Sequence, residues 1–115
     1  MARFEFLLWL AQWFFQKRVF EFDWDLGNTT KSAQKHGINI ESAQQVFYNR
    51  DVLVPLGIQI APPVDEPRFG VLGMDLSGSC LSICFAIRDG KIRIISARPM
   101  SRKERKRYEE TLRKE

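Results

Sequence analysis

The sequence holds one histidine, two cysteines and no uninterrupted apolar run of membrane-spanning length. Each scarcity excludes something. With His36 alone, a zinc site is not expected, and no cofactor or metal motif is present. Cys80 and Cys84 fall on one face of an expected strand, roughly 13 Å apart at ~3.3 Å per residue. That is too far for a disulfide, so both read as free thiols of a reducing cytosol. The apolar segment 6–15 is shorter than the ~20 residues a spanning helix needs. No small-residue cleavage site follows it, which argues against a signal peptide. Repeats, low-complexity tracts and linkers are absent, and 115 residues suit one domain.

What is present is positive charge: a net +4 and a pI near 9.3, with much of the excess in the last third. An acidic partner follows, either nucleic acid or an acidic protein. The stretch 81–108 organises this end. Residues 81–88 alternate apolar Leu81, Ile83, Phe85 and Ile87 with small or polar neighbours, the period of a half-buried strand. Asp89-Gly90 suits a two-residue hairpin turn of positive φ. Residues 91–98 return as a strand that Pro99 ends. Ser101 and Glu104 have the spacing of a capping box at the head of a basic helix.

The turn fixes a register. Arg88 is expected opposite Lys91, Ala86 opposite Arg93, Cys84 opposite Ile95 and Ser82 opposite Ala97, all on one face. Ile87 with Ile92 and Phe85 with Ile94 form the core face. The first face is either an anion-binding surface or a solvated sheet carrying cations. On this register Arg98 and Ser96 point the opposite way, so the arginines need not converge.

Upstream, residues 19–24 alternate like a short strand. Asp25 can cap a helix to about His36, stopped by Gly37. Asn39 can cap a second helix through Phe47, with Ile40, Ala43, Val46 and Phe47 facing the core and Ile38 packing near Ala43. Residues 51–56 read as a strand, the proline-bearing 57–67 as a surface loop, 68–74 as another strand and 75–79 as a turn. The sum is an α+β domain with a small, mostly antiparallel sheet, two N-terminal helices and a C-terminal basic helix.

Several segments in this order resemble the BrnT family, RelE-like toxins of bacterial toxin–antitoxin pairs. They are Phe22-Asp23-Trp24-Asp25, Gly27-Asn28, Lys31 and Lys35-His36; then Glu41, Ala43 and Val46-Phe47; then Glu66-Pro67-Arg68-Phe69 and Leu72-Gly73. Leu81, Ile83 and Phe85 follow, and after them residues 92–98, Met100, Lys103-Glu104-Arg105 and Tyr108-Glu109. Ser32 stands where an asparagine is common, and a loop histidine usual before Glu66 is missing. The resemblance covers about residues 20–109. It implies a RelE-like fold and a cytoplasmic endoribonuclease that inhibits translation. It also implies a BrnA-type antitoxin forming a hetero-oligomer with the toxin, operator DNA being bound only through that complex.

Metal-free RNA cleavage needs a base for the 2′-hydroxyl, an acid for the leaving oxygen and cations for the phosphorane. His36, with Lys35 beside it, is the only side chain whose ordinary pKa lies near neutrality; the alternative is a helix C-terminal cap. Arg68 and Arg98 are candidate phosphate clamps, and Glu66 is a candidate base or a solvated loop acid. Arg88, Lys91, Arg93, Arg102 and Arg105 are candidate RNA contacts, or cations of solvated faces. Two rival functions stay open: a non-catalytic nucleic-acid-binding or co-repressor module (including a degenerate toxin), and a membrane-interface protein using residues 1–18. That segment is also readable as a helix packed on the domain or a partner, or as an extension before a start at Val19. The division preferred is an apolar extension, 1–18, followed by a toxin-like domain, 19–115.

Overall fold

The structure is a computed structural model, and it describes residues 3–17, 19–23, 38–63 and 65–114. Its elements are β1 (Arg3–Glu5), α1 (Leu8–Gln16), α2 (Ile40–Tyr48), a 3-10 turn (Arg50–Val52), β2 (Val54–Ala61), β3 (Phe69–Met74), β4 (Cys80–Arg88), β5 (Lys91–Pro99) and α3 (Arg102–Arg113). The five strands lie in chain order in one sheet, and every neighbouring pair is antiparallel. The α+β class, the antiparallel sheet and the basic C-terminal helix are as expected. The expected helix 25–36 lies outside the described residues.

Local chemistry explains the elements. Asp89 and Gly90 hold φ of 51° and 75°, so the hairpin closes where the sequence placed it. The Asn39 side chain accepts the Ser42 N–H at 2.8 Å and opens α2. Ala43, Val46 and Phe47 are its buried face. Ser101 and Glu104 form the full reciprocal box at the start of α3.

α1 and α2 cover one face of the sheet. Phe47 meets Phe85 edge-on at 5.3 Å, and Phe14 of α1 lies 5.7 Å from the same ring. Leu81, Ile83, Ile92, Ile94 and Ala97 complete this core. Residues 3–17, expected as an extension, therefore contribute an edge strand and a core-facing helix to the domain: Leu10 and Phe14 are fully buried.

Three expectations need correction. Residues 19–24 do not form a strand over their described part. Phe22 makes one parallel bridge to Ile92 at the β5 edge, and the Tyr48 hydroxyl donates to the Phe20 carbonyl at 2.9 Å. Residues 51–52 belong to a 3-10 turn, and β2 runs on through 57–61, which reads as loop in the sequence. The strand continues because Gly57, at φ 110°, absorbs a register irregularity. The third correction concerns β5. Pairing is regular from Arg88–Lys91 to Phe85–Ile94, then shifts by one, so that Cys84 faces Ser96 and Ser82 faces Arg98. Ile95 is the extra residue of a β-bulge. Beyond it the faces exchange relative to the expected register: Ala97 turns into the core, and Arg98 turns to the opposite face.

A candidate nucleic-acid interface

The sheet face away from α1 and α2 is floored by small residues, Gly70, Ser82 and Cys84, on adjacent strands. α3 closes one end. Its Tyr108 is buried against Leu56 and Leu72, and its hydroxyl donates to the Val52 carbonyl. Burial, with some contribution from Cys80, pushes that phenol up to about 12, so it stays a neutral anchor. Between α3, β1 and the sheet is a cleft of about 640 Å³.

Among the described residues, five cationic side chains line this cleft, Arg3, Arg68, Arg98, Lys103 and Arg107, against a single carboxylate, Glu104. Arg98 is there because of the Ile95 bulge. Its guanidinium grips Glu104 through two hydrogen bonds of 2.6 and 2.8 Å. Glu104 also accepts from the Ser101 N–H at 2.9 Å and the Ser82 hydroxyl at 3.3 Å. Burial opposes the charged form of Glu104, but Arg98 and then Ser101 outweigh it and hold the carboxyl below its ordinary value. Arg3, Arg68, Lys103 and Arg107 form no ion pair among the described residues. Cys84 is half-buried, and desolvation raises its thiol against a weaker pull from Arg68, so it is a poor nucleophile at neutral pH. The arrangement can bind a polyanion and stabilise charge developing on phosphate.

A depressed carboxyl contributes stability that is present above its unfolded value, near 4.5, and is lost as pH falls through the lower folded value. Glu104→Gln removes that contribution and leaves Arg98 unpaired. The gap in urea midpoint between parent and variant is expected to be widest near neutrality and to close as pH falls below the ordinary value of 4.5 and through the lower folded one. A gap independent of pH would show that the pair carries no linkage.

The expected site residues separate into groups. Arg68 and Arg98 both line the cleft. Glu66 does not join them. It pairs with Arg88 at 3.0 and 2.6 Å, beside Trp9 and Trp13 in a second hollow. The Arg88 hydrogen bond lowers its pKa despite some desolvation. Arg93 stands opposite Ala86, 4.0 Å from Asp23, and Lys91 is exposed at the turn. Neither lines the cleft. Arg102 and Arg105 are exposed on the outer side of α3, Arg105 pairing with Glu109 at 3.2 Å. Lys35 and His36 lie outside the described residues. Sequence reasoning missed Arg3 and Glu104 as site residues, and from the basic run 102–107, readable as a whole as RNA-backbone or antitoxin contact, it singled out Arg102 and Arg105 rather than Lys103 and Arg107. The missed signal on α3 is spacing: Lys103 and Arg107 stand four apart, directly before the inward pair Glu104 and Tyr108.

Among the described residues, no group of three His, Cys, Asp or Glu side chains is placed to hold a metal. None of the described helices is long and apolar enough to cross a membrane.

The crystal structure of the Brucella abortus ribonuclease toxin BrnT matches with 16% identity and a TM-score of 0.49, over 73% of this chain and all of that one. No curated protein sequence matches. A family model described as "Ribonuclease toxin, BrnT, of type II toxin-antitoxin system" matches residues 24–104, from before α2 through β5 to Glu104. Because that match spans well over half of the sequence, the chain belongs to the BrnT family of ribonuclease toxins of type II toxin–antitoxin systems, and its partner is an antitoxin protein.

Proposed function

We propose that this chain is a metal-independent endoribonuclease that cuts RNA in the basic cleft and thereby inhibits translation in the cytoplasm. The observation that carries this is the cation surplus among the described residues that line the cleft, five against one, on a face where the small side chains of Ser82 and Cys84 leave room for a phosphodiester. Arg68 and Arg98, from the lining of the cleft, stabilise the phosphorane charge, and His36, supported by Lys35, serves as the base or acid. A BrnA-type antitoxin silences the toxin by covering the cleft with acidic surface, and operator DNA is engaged only through that complex.

A second function has one observation in its favour. Among the described residues, the one carboxylate lining the cleft is held ionised by Arg98 and Ser101, which suits binding better than proton transfer. A non-catalytic RNA-binding module or a degenerate toxin would have this geometry.

The deciding experiment incubates the purified full chain, free of antitoxin, with bulk cellular RNA in EDTA, alongside His36→Ala. Cleavage that persists in EDTA and disappears in the variant is the expected result. Salt-sensitive binding with intact RNA would favour the binding module.

A further inference from the structure

β1 lies outside the segment that the family model matches, yet its Arg3 and Phe4 line the cleft. We propose that Phe4 is a stacking platform for an unpaired nucleobase and Arg3 a phosphate contact, so that the N-terminal strand selects single-stranded RNA. This rests on the cleft being the RNA site.

The position of β1 is built into its neighbours. A Cβ on Gly57 of β2 would fall 1.8 Å from the Glu5 carbonyl oxygen. A Cβ on Gly70 of β3 would fall 2.8 Å from the Phe4 ring. Two glycines in adjacent strands thus clear the space that the strand and the ring occupy. The ring packs on the Leu56, Leu72 and Tyr108 cluster but is only partly buried, and its remaining surface borders the cleft. Arg3 is exposed on the same strand.

An aromatic face beside guanidinium groups is the chemistry of single-strand recognition. Every base has a π-face, and phosphates are met by arginine. Bases inside an A-form duplex are stacked on one another and are not offered to a side chain. A cleft of about 640 Å³ falls within the ~300–1,000 Å³ of sites for small ligands. It can therefore take a nucleotide splayed out of its stack.

The test uses the full chain and a fluorescein-labelled 2′-O-methyl oligonucleotide, which cannot be cut because the 2′-hydroxyl is blocked. Binding is followed by anisotropy, single-stranded and annealed to its complement, over a range of salt. Phe4→Ala is expected to weaken single-strand binding about ten-fold and to leave duplex binding unchanged. Phe4→Tyr keeps the affinity. Arg3→Ala lowers the salt slope by about 0.7. Phe4→Leu preserves the apolar contacts with Leu56 and Leu72, so it remains informative where alanine perturbs folding. Single-strand binding by Phe4→Leu equal to the parent's, or equal losses on duplex, would overturn the proposal. Phe4-dependent binding with natural RNA left intact overturns the nuclease function alone. Cleavage with Phe4-independent binding overturns this proposal alone.

Discussion

Replacing Phe14 by alanine lowers the unfolding free energy by about 3–5 kcal/mol. The ring is 1% exposed and sits 5.9, 5.8 and 5.7 Å from the rings of Phe20, Phe47 and Phe85. It joins α1 to α2 and to the centre of β4. Truncation leaves a cavity among three large side chains that belong to different elements, so local collapse cannot fill it. Set against a typical domain stability of roughly 5–15 kcal/mol, the loss is large. Urea denaturation measures it as a lowered midpoint at unchanged slope. Phe15→Ala is the control. That neighbouring ring is 61% exposed, and its loss is expected to change stability by less than about 0.5 kcal/mol. If the two variants behaved alike, α1 would not be packed on the core.

Arg68→Ala reduces the rate of RNA cleavage by about 10²–10³-fold without lowering stability. Arg68 lines the cleft and forms no ion pair among the described residues. Removing one well-placed donor to a developing oxyanion has effects of about this size. Arg68→Lys recovers only part of the rate, because an ammonium lacks the two-point fit to phosphate. Arg98→Ala behaves differently. Its guanidinium also neutralises Glu104, so that substitution moves stability and rate together. Single-turnover rates beside thermal melts separate the two cases. An undiminished rate in Arg68→Ala would place the chemistry elsewhere on the molecule.

Where the sequence could be read correctly, the determinants are local. The Asp89-Gly90 turn, the Asn39 cap, the Ser101–Glu104 box and the inward stripe of α2 each depend on residues within one or two turns of chain. The hairpin register could be derived from the turn as far as Phe85–Ile94. Beyond that point it could not, because Ile94-Ile95 is a pair of like residues and either could be the one that faces the core. The misassigned direction of Arg98 followed from that single step, and with it the expectation that the arginines need not converge. The role of residues 3–17 was hidden for another reason. Leu10 and Phe14 are buried by α2 and β4, partners far away in sequence, while Phe6, Leu8 and Phe15 remain exposed. Gln12 and Gln16 mark a polar stripe opposite Leu10 and Phe14, but it is narrow, and the apolar remainder of the helix is wider than the face that packs. The cleft itself joins β1, β3, β5 and α3, and no short motif spans them.

Ile95 also gives β5 slack in its length. Because it is supernumerary in the ladder, an in-frame loss of its codon would leave Ile94 facing Phe85, Ser96 facing Cys84 and Arg98 facing Ser82, with no side chain changing sides. A codon lost from a strand without a bulge inverts everything beyond it. The strand that carries Arg98 into the cleft is thus the one whose length can vary by a residue while its inner and outer surfaces stay as they are.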